Sequence, residues 1–133
     1  MATVALHCPR CHARAGWLEA DGDGWVRLVR HERWRLTPRR PRREGEEALE
    51  QLGRRWRLVF GVDRAHVETR DRVDRFIIPR PGGGFGPSID GENWSCPRCR
   101  GLVTVAEAHA LAALKRARHR GRVGRLALDH GPG

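Results

Sequence analysis

The residues best suited to chemistry in this 133-residue chain are its four cysteines, which form two copies of the tetrapeptide CPRC, at 8–11 and 96–99. Two thiolates separated by two residues can hold a metal ion across a short backbone turn, and a second such turn completes the tetrahedron that Zn²⁺ prefers. We therefore predict one structural Zn²⁺ site, whose ligands are Cys8, Cys11, Cys96 and Cys99.

The same residues leave three alternatives open. Iron at the four thiolates is the main chemical rival of zinc, and His7 or His12, which flank the first pair, are alternative ligands. A redox CxxC motif is less favoured, because a nucleophilic thiol is activated by an adjacent helix N-terminus. The nearest predicted helix cap, Thr104, lies five residues beyond Cys99.

One enzymatic alternative comes from the second cysteine pair. His66-Val67-Glu68 followed by that pair is similar to the HxE…PCxxC layout of zinc-dependent deaminases. This resemblance implies His66, Cys96 and Cys99 as metal ligands and Glu68 as the proton carrier. Proline follows Cys96 instead of preceding it, however, and the first CPRC pair would have no role. No other catalytic constellation stands out, and we predict that the protein is not an enzyme.

The chain is strongly basic, with 26 Lys and Arg, 16 Asp and Glu, and a net charge of +10. Such an excess of positive charge favours anionic partners, and nucleic acid is the most favoured class among them. The densest basic segments are 39–43 and 115–125, which can bind phosphate backbones by charge alone. The alternative to phosphate binding is that these segments are ordinary solvated surface. GC-rich codon usage would raise the arginine content whatever the function. We predict phosphate contacts by Arg39, Arg40, Arg42, Arg43, Arg116, Arg118, Arg120 and Arg122.

The first half of the chain predicts strands, a linker and a helix. Residues 16–20 and 25–29 flank the turn sequence DGDG, which predicts a β-hairpin. Strand tendency continues over 33–36, where Trp34 and Leu36 alternate with arginines. The prolines and arginines of 37–43 predict a solvated linker, and 44–57 has the charge order and apolar spacing of a helix.

The second half predicts a strand, a long loop and a helix. The apolar run 76–78 predicts a buried strand that ends at Pro79, and the glycine-rich stretch from residue 81 predicts a loop lasting until Trp94. Thr104 and Glu107 fit a capping box that opens an alanine-rich helix ending at Gly121. We expect the five tryptophans to fill the core, with Trp25 and Trp94 as the exposed exceptions.

Residues 8–11 and 96–101 resemble the knuckles of the zinc-ribbon, or rubredoxin-like, superfamily. That resemblance implies two β-hairpins whose CPxC turns face each other across a Zn²⁺ ion. The second knuckle carries the family's small residue, Gly101, whereas the first, ending Cys11-His12-Ala13, does not follow that pattern. The 84 residues between the two pairs also exceed the spacing of a compact ribbon.

The expected fold class is therefore α+β: a small zinc-ribbon-like β-hairpin module split by a long insertion and followed by a C-terminal α-helix. We expect a single domain over 1–133, with ribbon halves at 8–36 and 88–120, an insertion at 37–87 and a flexible tail at 121–133. No stretch of 18 or more apolar residues and no basic leader occurs, so we expect no membrane span and a cytoplasmic location, where paired CxxC motifs bind metal.

The predicted function is binding to nucleic acid, or to a ribonucleoprotein or transcription assembly, with zinc acting on folding. The alternative is a zinc-stabilised protein-docking or assembly component, a viral or accessory factor, that meets a protein partner through the insertion and its glycine-rich loop. The salt dependence of association separates the two, because only phosphate contacts release counterions.

Overall fold

A computed structural model describes residues 2–21, 25–38, 56–60, 65–69, 73–74 and 92–130. In these ranges the chain is a mixed α+β protein, made mostly of strands, with one helix near the C-terminus, α1 (Glu107–Arg120). The strands, in chain order, are β1 (Ala2–His7), β2 (Arg14–Ala20), β3 (Val26–Arg30), β4 (Arg35–Pro38), β5 (Trp56–Phe60), β6 (Ala65–Thr69), β7 (Val73–Asp74), β8 (Glu92–Ser95), β9 (Leu102–Thr104), β10 (Gly124–Ala127) and β11 (Asp129–His130).

The strands form two sheets. Seven strands form the larger sheet in the order β10-β1-β2-β3-β5-β6-β7, and four form the smaller one in the order β11-β9-β8-β4. The strand β10, which follows α1 in the chain, runs parallel to β1. The predicted hairpin is confirmed, since β2 and β3 pair from Gly16 opposite Arg30 to Ala20 opposite Val26.

The core lies where the sheets and the helix meet. Along β1 the buried residues Ala2, Val4 and Leu6 alternate with half-buried ones, as expected for a strand with one face on the core. The helix adds a face of small and aliphatic side chains at helical spacing, Ala110, Ala113, Leu114 and Ala117.

Two tryptophans, one just before β4 and one within β8, are buried in this core. Trp34 and Trp94 are each 1% exposed, and their rings meet edge to face with centroids 6.5 Å apart. The indole Nε1–H of Trp34 donates to the carbonyl oxygen of Arg14 at 2.9 Å. The prediction that Trp94 is exposed was wrong, because Trp94 lies in β8, which pairs with both β4 and β9. Trp25, the other predicted exception, is half-buried.

The C-terminal helix confirms one predicted boundary and corrects the other. Its C-cap is Gly121, in the left-handed conformation at φ 68°, as the sequence predicts. Its N-cap is Ala106 and has no side-chain cap hydrogen bond. The predicted capping box was wrong because Thr104 is the last residue of β9, where it pairs with Asn93 and Asp129.

Other predicted segments differ from the structure or lie outside it. Within the predicted flexible tail, residues 124–127 and 129–130 are strands. The helix predicted over 44–57 was wrong at its end, since residues 56 and 57 begin β5, whose pairing with β3 and β6 overrides helical spacing. Residues 39–55, the apolar run 76–78 and the loop 81–91 lie outside the described residues. No helix in the described ranges is both long and apolar enough to cross a bilayer.

Candidate metal centre

Each CPRC sequence forms the turn of a two-stranded hairpin. The first knuckle, residues 8–13, joins β1 to β2, and the second knuckle, residues 96–101, joins β8 to β9. The two knuckles therefore belong to different sheets.

The two knuckles repeat the same backbone geometry. In the first, the Cys8 N–H donates to Ala13 O at 2.8 Å and the His12 N–H donates to Cys8 O at 3.0 Å. In the second, the Cys96 N–H donates to Gly101 O at 3.0 Å and the Arg100 N–H donates to Cys96 O at 2.9 Å. These bonds close each turn around its cysteine side chains, so that both thiols of a pair face the other knuckle.

The equivalent residues His12 and Arg100 both adopt the left-handed conformation, at φ 63° and 60°. Such values are uncommon for residues with a side chain and cost about 1–2 kcal/mol each. The small residues Ala13 and Gly101 occupy the next position in both knuckles. The first knuckle therefore carries a small residue at the same position as the second. The prediction that only the second knuckle has one was wrong.

The four sulfur atoms form one cluster. All lie within 4.8 Å of one another, and two of the separations between the knuckles are 3.7 Å, for Cys8 to Cys99, and 3.5 Å, for Cys11 to Cys96. Tetrahedral Zn²⁺ with Zn–S bonds of about 2.3 Å requires sulfur atoms about 3.8 Å apart. All four cysteines are free thiols, so the arrangement fits shared metal ligation and contains no disulfide.

The four cysteines of the cluster differ in how far they are buried. Cys8 and Cys96 are buried, Cys11 is half-buried and Cys99 is exposed. A hydrogen bond from the Ala13 backbone lowers the pKa of the Cys11 thiol to about 7, whereas burial raises the pKa of the Cys96 thiol to about 11. A metal bound by all four sulfurs must therefore displace a firmly held proton from Cys96.

The residues beside the cluster add a contact that the sequence did not reveal. The Arg10 guanidinium of the first knuckle lies over Gly101 of the second, where a Cβ atom would also come within 3.4 Å of Cys99 Sγ. A metal with four thiolates has a net charge of about −2 when the ion is Zn²⁺, which a neighbouring guanidinium offsets. The only sequence signal for this contact is the arginine within CPRC, which both knuckles share.

The histidines predicted as alternative ligands do not join the cluster. Within the described ranges, the cysteines are the only group of three or more His, Cys, Asp or Glu side chains placed to share an ion. The rings of His7 and His12 lie 5.9 Å apart. Burial lowers the pKa of His7, and Arg125 and His12 lower it further.

The fold also separates the parts of the deaminase-like pattern. His66 and Glu68 lie in β6, which is four strands away from β1 in the larger sheet, about 19 Å across it. Cys96 and Cys99 lie instead beside Cys8 and Cys11, so the first CPRC pair stands where the deaminase pattern would place His66. Nothing in the described residues provides evidence of catalysis.

The predicted phosphate contacts are divided between described and undescribed parts of the chain. Arg39, Arg40, Arg42 and Arg43 lie outside the described residues. Arg116, Arg118 and Arg120 are exposed on α1, and Arg122 follows its C-cap, also exposed. Arg118 Nη2 donates to the carbonyl oxygen of Asp21 at 3.1 Å.

Fold and site together define a mixed α+β protein with a four-cysteine metal-binding centre between two hairpins. Comparison with protein-family models, with curated proteins and with solved structures finds no match to this chain. Its interpretation therefore rests on its own residues and their geometry.

Proposed function

We propose that this protein is a zinc-stabilised, zinc-ribbon-like nucleic-acid-binding protein of the cytoplasm, in which the ion supports the fold and basic side chains hold phosphate. The observation that carries the metal assignment is the cluster of four sulfurs within 4.8 Å of one another. Four thiolates without an open coordination position are typical of structural zinc, whereas catalytic zinc keeps a position for water.

The position of the cluster supports a role in folding. The first knuckle belongs to the larger sheet and the second to the smaller one, and 84 residues lie between them in the chain. An ion bound by both knuckles links segments that are distant in sequence, and it stabilises the folded chain because the unfolded chain holds no preformed site.

The basic surface supports the choice of partner. Three of the predicted contact arginines lie at every second position in the last turns of α1, and a fourth lies two residues after its end. The net charge of the chain is +10. Phosphate binding needs charge density and little else. A ribonucleoprotein or transcription assembly offers the same phosphates and remains within this proposal.

Native mass spectrometry of the purified protein, with and without chelator, tests both parts at once. The proposal predicts one zinc ion per chain, lost on chelation, and co-purified or added oligonucleotide bound to the zinc-loaded form. Detection of one iron ion per chain would change the assigned metal from zinc to iron, with the same four ligands. A metal-loaded protein that binds no RNA or DNA at 50 mM salt would remove the nucleic-acid function and favour the protein-docking alternative.

A further inference from the structure

A groove runs between the C-terminal half of α1 and the segment that leads into β10. It encloses about 380 Å³ and four arginines line it, Arg116 and Arg120 from the helix and Arg122 and Arg125 from the following segment. Arg116 and Arg120 are four residues apart and so share one side of the helix. Arg125 ends the basic segment 115–125 but was not one of the eight arginines named as phosphate contacts.

Within the described ranges, no carboxylate neutralises the charge in this groove. All four arginines are exposed, and in the described part of the chain no carboxylate lies within ion-pair distance of any of them. Arg125 is also close enough to His7 to lower the pKa of that histidine. Four unneutralised guanidinium groups around one groove favour a ligand with several negative charges.

The groove also contains apolar surface. Val123 is 64% exposed, more than any other large hydrophobic side chain in the described residues, and it lines the groove beside Ala113 and Ala117. Gly124 allows this close packing, because a Cβ there would lie 3.2 Å from the Cβ of Ala117. An exposed valine among arginines suits a flat, partly apolar group that brings phosphate with it.

We infer that this groove binds a single strand of nucleic acid, with an unstacked base against Val123 and the neighbouring phosphates on the arginines. A single strand presents free base faces, which side chains and guanidinium planes can cover. A duplex keeps its base faces stacked and would leave the apolar part of the groove unused. The volume lies at the lower end of ligand sites, about 300–1,000 Å³, enough for one nucleotide unit at a time.

This inference rests on the proposed function and specifies its ligand, so the test separates the two. Fluorescence anisotropy of zinc-loaded protein is measured with four labelled 12-mers: oligo-dT, oligo-U, an abasic deoxyribose-phosphate strand and a dT·dA duplex. We expect oligo-dT or oligo-U to bind most tightly, the abasic strand about fivefold more weakly, and the duplex at least about tenfold more weakly. The dT and U arms distinguish DNA from RNA as the source of the strand.

Two variants locate the site. The double variant R116A/R120A should lower the slope of log K against log salt by about 1.4, because each single-strand phosphate contact contributes about 0.7. The control R33A/R35A removes the same charge from exposed positions outside the groove and should leave the slope unchanged. The variant V123S should bring oligo-dT binding close to that of the abasic strand.

The outcomes are distinct. Absence of binding to every probe at 50 mM salt would remove the proposed function as well as the groove. Binding that R116A/R120A and R33A/R35A weaken equally would overturn the groove and leave a general basic surface. Equal affinity for dT and abasic strands would overturn the base contact, and so the single-strand assignment. Zinc content and circular dichroism of each variant establish that it is folded.

Discussion

Coupling between metal binding and folding can be measured as a slope. The structure gathers the four sulfurs of one chain into one cluster, so the folded protein has a site for one ion. An ion that binds only the folded state stabilises it by RT ln(1 + [Zn²⁺]/Kd). Above Kd, each tenfold rise in free zinc should therefore raise the free energy of unfolding by about 1.4 kcal/mol.

The assay is urea denaturation in zinc buffers that hold the free ion at fixed concentrations over several decades. The double variant C96S/C99S removes the second half of the site and serves as the control, and its slope with free zinc should be zero. Comparing slopes avoids the separate cost of placing serine at Cys96, a buried position.

Three results would refute this reasoning. A wild-type slope of zero, with the metal bound, would mean that the ion does not select the folded state. A slope of about half the expected value would mean that two chains share one ion. An undiminished slope in C96S/C99S would mean that the metal binds elsewhere.

Glycine and arginine substitutions test the hairpins that carry the site. G16A places a Cβ against a backbone carbonyl of β3 at φ 153° and should cost at least about 3 kcal/mol of folding free energy. At Gly121 φ is also positive, but its value of 68° lies in the left-handed helical region and a Cβ would meet open space, so G121A should cost about 1 kcal/mol; thermal unfolding measures both. G101A displaces the Arg10 guanidinium and, like R10A, should weaken zinc binding about tenfold in competition with a chelator. R98A, at the equivalent position of the second knuckle, should bind zinc as the wild type does.

Two results would contradict these predictions. Equal losses in G16A and G121A would show that the close approach of β2 to β3 contributes nothing beyond the strained φ. Equal zinc affinity in R10A and R98A would show that the contact over Gly101 does not affect the ion.

Local signals in the sequence predicted the features that depend on local chemistry. The spacing within each CPRC pair identifies the cluster of four cysteines, because a two-residue gap suffices to place two thiolates on one turn. The DGDG sequence predicts the β2–β3 hairpin because glycine is common in tight turns, and Gly121 predicts the end of α1 because glycine readily adopts the left-handed conformation of a helix C-cap. In each case the determining residues lie within a few positions of the feature.

Features that depend on distant partners were not predictable in this way. Thr104 matches a helix cap by sequence, yet it lies in β9 because Asn93 and Asp129 pair with it. Residues 124–127 lie in the segment predicted as a flexible tail, but β1, more than a hundred residues earlier, pairs with them as a parallel neighbour. The contact between Arg10 and Gly101 forms only when the two knuckles come together in the fold. No local sequence pattern predicts it.

X-ray absorption spectroscopy at the metal edge tests whether both knuckles bind one ion, because it identifies the element and its ligand atoms together. A zinc ion held by both knuckles should be surrounded by four sulfur atoms at about 2.3 Å, in a protein carrying one ion per chain. A first shell containing nitrogen or oxygen, or fewer than four sulfurs, would contradict a closed site built from both knuckles.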